Sequence, residues 1–260
     1  MPAPRVLILR APGTNCDQET AYAFELAGGQ PAHVHINRLL EEPRLIAEFQ
    51  ILCLQGGFSY GDDVASGRIL ANQLRHHLHA AIAEFKAAGK LVLGICNGFQ
   101  VLIKSGALLR DDAAGAPATL TLNESGKYED RWVRLATHGS KCVFLQGIET
   151  MYLPVAHAEG RFVPRDDATL KWLATNEQLV LRYAGQSASA SDNVPFPENP
   201  NGSIANVAGV CDETGRVFGL MPHPERHIDR THHPRWTRGE GRERGDGLQV
   251  FDNAVRYYNG

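Results

Sequence analysis

The stretch 91-LVLGICNGFQVLIKSG-106 decides how the rest of the chain is read. Its first five residues are continuously apolar, as in a strand buried on both faces. They pass without a linker through Cys96-Asn97-Gly98 into a helix predicted over 97–104, which Ser105-Gly106 stops. Gly94-x-Cys96-x-Gly98 is the layout of a nucleophile elbow with cysteine in the place of serine. The elbow residue sits in a strained backbone conformation, and side chains two positions away would collide with sheet or helix. The N-terminus of the following helix points at the sulfur and favours thiolate over thiol. The backbone N–H of Asn97 has no intrahelical acceptor and can donate to an oxyanion. Taken alone, the pattern leaves a second reading open, a buried inert cysteine in a strand-to-helix turn.

Upstream the chain alternates. Strands are predicted over 5–9, 32–36 and 51–54, and helices over 17–27, 43–49 and 68–88, the last stopped by Gly89. Downstream, strands are predicted at 132–136, 152–156, 204–210 and 216–221, and 192–203 (DNVPFPENPNGS) is rich in turn residues. The fold class expected is α/β: an open, mostly parallel sheet with helices on both faces, flavodoxin-like, with a more irregular, β-rich second half. One domain is expected over 1–260. Residues 226–247 carry six arginines and little apolar content, and read as an exposed loop insertion.

Ligands of such sheets bind beyond the carboxyl ends of the strands. Three strand ends carry chemistry here: Gly56-Gly57, Cys96, and Met221-Pro222-His223-Pro224-Glu225. A nucleophilic cysteine needs a base. His223 is held between two prolines, and in an extended segment Glu225 projects to the same side and can orient the imidazole. A glycine pair at a strand end leaves N–H groups open to an oxyanion. Cys16, in the loop after the first strand, can lie near the same site. Cys53 and Cys211 read as core. The cysteines number five, with no C-x-x-C, which argues against a disulfide framework or a zinc knuckle and fits a reducing compartment.

Together these segments resemble the class I, triad-type glutamine amidotransferases. The resemblance rests on LGICNGFQVL with PHPE, and extends through PGTNCD (12–17), LQGGFSYGDDVASGRILA (54–71), LPVAHAEGRF (153–162), NPNGSIANVAGV (199–210) and GLMPHPERH (219–227). These longer motifs are similar to the branch of the family that supplies ammonia for converting formylglycinamide ribonucleotide to formylglycinamidine ribonucleotide in de novo purine synthesis. One departure is Ala158, where the family often has glycine. The resemblance implies that Cys96 attacks the side-chain amide of L-glutamine and that Gly56, Gly57 and Asn97 surround the oxyanion. His223 then protonates ammonia and activates water, Glu225 holds His223, and Gln100 contacts the bound glutamine. His157, Glu159 and Arg161 fall at the rim. It also implies a partner. The chain has no G-x-x-x-x-G-K-[ST] phosphate loop, so ATP and Mg2+ belong to a large synthetase subunit, joined by a small accessory subunit. The 226–247 segment is then either a docking surface or a solvated loop. The competing function is a class I amidotransferase subunit serving another ammonia acceptor. A non-hydrolytic stress protein with a similar elbow has no need of the late His-Pro-Glu, and the intact Cys96, His223 and Glu225 argue against a catalytically dead homologue.

Composition excludes other classes. The formal net charge is −3 and charged residues make up 21% of the chain, which gives no basis for nucleic-acid binding. No apolar run approaches the ~20 residues of a membrane span, and MPAPRVLILRAPG reads as a first strand, so a cytoplasmic protein is expected. His76 and His79 are three apart on the predicted long helix but lack a third ligand, His33 and His35 alternate on a short strand, and His232-His233 is read as facing water. No cofactor and no metal are expected in this chain.

Overall fold

In the computed structural model, residues 2–185 and 194–259 are described. Asp192 and Asn193, which open the turn-rich segment, lie outside them. The first half runs β1 (Arg5–Arg10), α1 (Asp17–Leu26), β2 (Gln30–His35), α2 (Ile36–Glu41), a 3-10 turn (Pro43–Glu48) and β3 (Ile51–Leu54). Then α3 (Arg68–Gln73) passes through a π turn (Leu74–Leu78) into α4 (His79–Ala87), followed by β4 (Leu91–Ile95) and α5 (Asn97–Ser105). The second half adds β5 (Ala118–Thr121), β6 (Glu129–Thr137), β7 (Thr150–His157), β8 (Arg161–Pro164), α6 (Asp167–Thr175), β9 (Leu181–Ala184), β10 (Val207–Cys211), β11 (Val217–Leu220) and α7 (Leu248–Arg256).

Nine strands form one sheet in the order β2-β1-β3-β4-β11-β10-β9-β6-β7, and β5 and β8 form a separate antiparallel ribbon. The run from β2 to β11 is parallel, and the run from β11 to β7 is antiparallel. β3 and β4 are buried along their whole length, which requires cover on both faces. Right-handed crossovers supply it: β1 to β2 moves one way along the sheet and β3 to β4 the other, so α1 and α3–α4 fall on opposite faces. On one face α7 joins α1, with Phe24 and Phe251 edge to face at 4.9 Å. The point where the chain leaves β1 in two directions is a topological switch point, and β4 and β11 end beside it.

The structure corrects several boundaries. The strand expected over 32–36 ends at His35, because the His35 side chain accepts from the Asn37 N–H and caps α2. The strand expected from 204 begins at Val207, since Ala205 and Asn206 adopt positive φ in the turn before it. Elements α2, β5, β8, β9, α6 and α7 are additional to the sequence reading. Helix α6 had a local signal: Asp166 accepts from the Thr169 N–H at 2.7 Å as an N-cap. Within 226–247 most side chains are exposed, but His227, Ile228 and His233 are buried. His233 therefore does not face water as read; its ring packs against Trp132 and Tyr152, which cover it. Among the described residues no helix is long and apolar enough to cross a membrane.

Helix and sheet approach closely at Gly98. A Cβ there would lie 1.8 Å from the Leu54 carbonyl oxygen, on the last residue of β3. Gly98→Ala is expected to push α5 off the sheet and cost about 3 kcal/mol, the upper end for overpacking. Urea unfolding of wild type and variant measures this, and equal midpoints would mean that α5 tolerates a methyl group at this contact.

Candidate active site

Cys96 joins β4 to α5 with φ 51° and ψ −106°, a conformation an L-residue adopts only under constraint from its surroundings. Those surroundings are visible. The Cys96 N–H donates to Leu220 O on β11 at 2.8 Å, and its carbonyl accepts from the Gln100 N–H at 3.1 Å. A Cβ at Gly94 would lie 2.8 Å from the Gly98 carbonyl oxygen, so neither elbow glycine can be replaced without moving the turn. The thiol is nearly buried, 3.7 Å from Ala156 O at the end of β7.

Parallel pairing puts Leu220 beside Ile95, so the segment after β11 emerges next to Cys96. The His223 N–H donates to Pro154 O at 2.9 Å, and Pro224 starts a 3-10 turn that swings Glu225 back. Glu225 Oε1 lies 2.6 Å from His223 Nδ1, with the two side chains 0% and 2% exposed. Burial alone would disfavour the imidazolium, but the Glu225 carboxylate and then the Cys96 sulfur outweigh it and hold the His223 pKa well above its ordinary value. Cys96 and Cys16 both stand against this imidazole, and neither meets hydrogen-bond geometry with Nε2. The elbow, the histidine and the glutamate read from sequence are thus brought together.

The glycine pair has two separate tasks. A Cβ on Gly56 would lie 2.8 Å from His223 Cε1, so this residue leaves room for the imidazole. Gly57 has φ +130°, and a Cβ there would lie 2.6 Å from the Asn15 backbone nitrogen, which fixes the turn after β3 against the loop after β1. The Asn97 N–H opens α5 beside this turn. Its side chain accepts from the Ser59 N–H at 3.2 Å and donates to Asp62 Oδ1 at 3.1 Å and Gln100 Oε1 at 2.9 Å. Gln100 in turn donates to the Glu159 carbonyl and is buried. Its amide is committed at both ends to holding Asn97 and the segment after β7.

That segment, residues 157–160, is the rim expected from sequence, and it is held from beneath. Asn123 Oδ1 lies 3.1 Å from His157 Nδ1 and accepts from the Gly160 N–H at 3.0 Å. Glu159 accepts from the Ser66 N–H at 3.1 Å and pairs with Lys104 at 3.5 Å, and Arg161 donates to Gly202 O at 3.1 Å. Asp62, Ser66, Lys104 and Asn123 had no assignment from sequence. Asp62 and Ser66 lie inside the long matching motif 54–71, which was the only signal available for them. A cavity of about 730 Å³ lined by Leu74, Lys86, Trp172 and Gln178 among others shares no residue with this cluster.

His157 is 3% exposed, and burial, reinforced by the charge of His223, pulls its pKa down to about 3. The unfolded chain binds a proton there near pH 6.5 while the folded chain refuses it, so stability falls as pH drops from 6.5 towards 3. The advantage of wild type over His157→Gln in unfolding free energy is expected to shrink by about 2 kcal/mol between pH 7 and pH 5. Denaturant titrations at both pH values read it, and a constant difference would mean an ordinary, hydrated His157.

Residues 3–258 match the family model of the CobB/CobQ-like glutamine amidotransferase domain. The chain is 48% identical over 254 residues to phosphoribosylformylglycinamidine synthase subunit PurQ of Dehalococcoides mccartyi, covering 97% of each chain. It is 41% identical over 268 residues to the PurQ subunit of Methanococcus maripaludis, covering 98% of each. Among solved structures it superposes on a chain of PurLQS from Thermotoga maritima with a TM-score of 0.74 at 33% identity, over 98% of this chain and 99% of that one. A further glutamine amidotransferase from Thermotoga maritima, at 16% identity and a TM-score of 0.51 over 99% of this chain and 92% of that one, shares the fold. Likeness of this extent, over nearly the whole length of both chains, places the chain in the glutamine amidotransferase family of phosphoribosylformylglycinamidine synthase PurQ subunits.

Proposed function

We propose that this chain hydrolyses L-glutamine and passes the ammonia to a synthetase partner, which uses it to convert formylglycinamide ribonucleotide to formylglycinamidine ribonucleotide. The observation that carries the chemistry is the buried His223–Glu225 pair at 2.6 Å, set beside a cysteine in a constrained elbow. An imidazole held in one tautomer by a carboxylate can take the thiol proton and return it to a leaving group. Cys96 Sγ attacks the amide carbon. The oxyanion falls to the N–H groups of Gly57 and Asn97, a pair of fixed donors each worth about 3 kcal/mol in the transition state. His223 protonates the departing ammonia, leaving a glutamyl thioester on Cys96. It then takes a proton from water, whose oxygen attacks the thioester and releases glutamate. In this reading Gly56 keeps the imidazole in reach, and Gln100 acts from behind the pocket by fixing Asn97.

Ammonia freed at a nearly buried sulfur is useful only if a second protein receives it. The acceptor is a large synthetase subunit carrying the ATP and Mg2+ sites, with a small accessory subunit in the same assembly, working in the cytoplasm. Its docking is expected over the exposed ring pair of Phe58 and Tyr128, whose centroids are 6.5 Å apart. This chain itself holds no cofactor in the scheme.

Incubation with a glutamine-shaped electrophile followed by mass spectrometry is expected to place one adduct on Cys96, suppressed by excess glutamine. An adduct on Cys16 or Cys53 that glutamine leaves untouched would overturn the assignment of the nucleophile. Glu225→Gln keeps the shape of the side chain and removes the charge that holds His223 protonatable. Its turnover of glutamine in the assembled complex is expected to fall by about 10²–10⁴, with KM little changed. Steady-state kinetics decide it, and a variant within threefold of wild type would remove Glu225 from the mechanism.

A further inference from the structure

Cys16 has no part in the mechanism above, yet it is built into the same pocket. It is the N-cap residue of α1 and is 1% exposed, and its side chain makes no capping hydrogen bond to the helix. A Cβ on Gly56 would lie 3.1 Å from Cys16 Sγ as well as 2.8 Å from His223 Cε1, so the bare Cα of this glycine is what lets thiol and imidazole share the space. Ligand-capable atoms of Cys16, His223 and Glu225, one from each, lie within 4.8 Å of one another, and all three residues are buried. This is the one such trio among the described residues. Glu225 Oε2 is buried without a hydrogen-bond partner. Buried lone pairs left unpaired are costly and are satisfied by a proton donor or a cation. The exposed His76 and His79 offer nothing comparable.

We propose that Cys16, His223 and Glu225 form a binding site for a thiophilic divalent cation of the zinc class, and that its occupation switches the catalytic centre off. One sulfur, one imidazole nitrogen and one carboxylate oxygen match the ligand preference of zinc. Zinc–ligand bonds of 2.0–2.3 Å in a tetrahedron put donors roughly 3.3–3.8 Å apart, a span that atoms lying within 4.8 Å of one another reach by small side-chain shifts. Binding releases two protons to solvent, one from the Cys16 S–H bond and one from the His223 imidazolium, and the freed sulfur and nitrogen electron pairs form the bonds to the metal; nothing is oxidised or reduced. Arg226 donates to Cys16 Sγ at 3.1 Å, and with the His223 imidazolium it is a neighbouring charge that opposes a second cation. Its Nε also stands 3.8 Å from Glu19, a carboxylate outside the pocket that can take the guanidinium when the sulfur binds metal. With the cation in place, His223 and Glu225 are withdrawn from proton transfer. This last consequence rests on the proposed function, whereas the binding itself does not.

The test uses the full-length chain, purified free of metal, and Co2+ as a spectroscopic probe. In Cys96→Ala, Cys16 remains the sole thiol of the pocket. One equivalent of Co2+ is expected to give a thiolate-to-cobalt charge-transfer band that one equivalent of Zn2+ displaces. Adding Cys16→Ser should abolish the band and weaken Zn2+ at least about tenfold, and adding His223→Gln instead should weaken Zn2+ by a similar factor. Thermal melts by circular dichroism identify which variants are folded, and either folded variant suffices for the comparison. A band that persists in Cys16→Ser, zinc affinity unchanged in the folded variants, or no binding by the Cys96→Ala chain overturns the site. Inhibition is read separately, as loss of glutamine turnover by the assembled complex at the Zn2+ concentration that fills the site. Binding without any glutaminase activity in the absence of zinc would count against the proposed function and leave the metal site standing.

Discussion

The approach of α5 to the end of β3 governs the candidate active site of this molecule. Gly98 lets the helix sit against the Leu54 carbonyl, and Gly94 lets β4 pass beneath the same turn. With helix and strand that close, the connecting residue has one conformation left, and Cys96 is held at φ 51°. The strain is maintained by packing, not by local preference: β11 pins the Cys96 N–H, and the Phe99 ring covers Gly219, where a Cβ would fall 2.1 Å from it. A side chain aimed out of a strained turn loses little further entropy when it reacts, because its position is already determined by its neighbours.

Around this turn the chain spends an unusual number of buried polar groups on holding loops. Asn97, one residue after Cys96, bonds to Ser59, Asp62 and Gln100, and Gln100 continues to Glu159. Lys104, one turn further along α5, pairs with Glu159, and both reach the backbone of Ser66. Burial pulls the Lys104 pKa down while Glu159 pulls it back, the balance expected of an ion pair kept for geometry. The network ties the turn after β3, the helix and the segment 157–160 into one body. Tyr60 and Asp62 both take positive φ within the loop it fastens, so the loop is shaped by these bonds against its own preference.

The His223–Glu225 pair solves a different problem. A buried imidazole by itself loses its proton easily, as His157 shows with its pKa near 3. His223 is as deeply buried, and the carboxylate at 2.6 Å reverses the outcome. Two histidines at the ends of neighbouring elements are thereby set apart, one neutral and structural and one protonatable, chiefly by the carboxylate beside His223. The cost is a pocket crowded with potential ligands, and Cys16 is the member of it that the proposed hydrolysis leaves idle.

Much of this was legible in the residues themselves. Runs such as ILCL and LVLGI are apolar without alternation, so they had to be strands covered on both faces, and the glycines around Cys96 had to be a turn. The elbow, His223 and Glu225 are local patterns and were found as such, and the long motifs carried the family. What the sequence could not reveal was anything set by contact between distant segments. The short strands β5, β8 and β9 are four residues each and are stabilised by their partners, so no period within them marks them out. His233 sits in a run of charges and is buried by Trp132 and Tyr152 more than eighty residues upstream. Cys16 and Arg226 meet across 210 residues of chain. Local chemistry determined which residues could react; only the tertiary structure decided which of them share a pocket, because burial and proximity are properties of the packed sheet and not of any one segment.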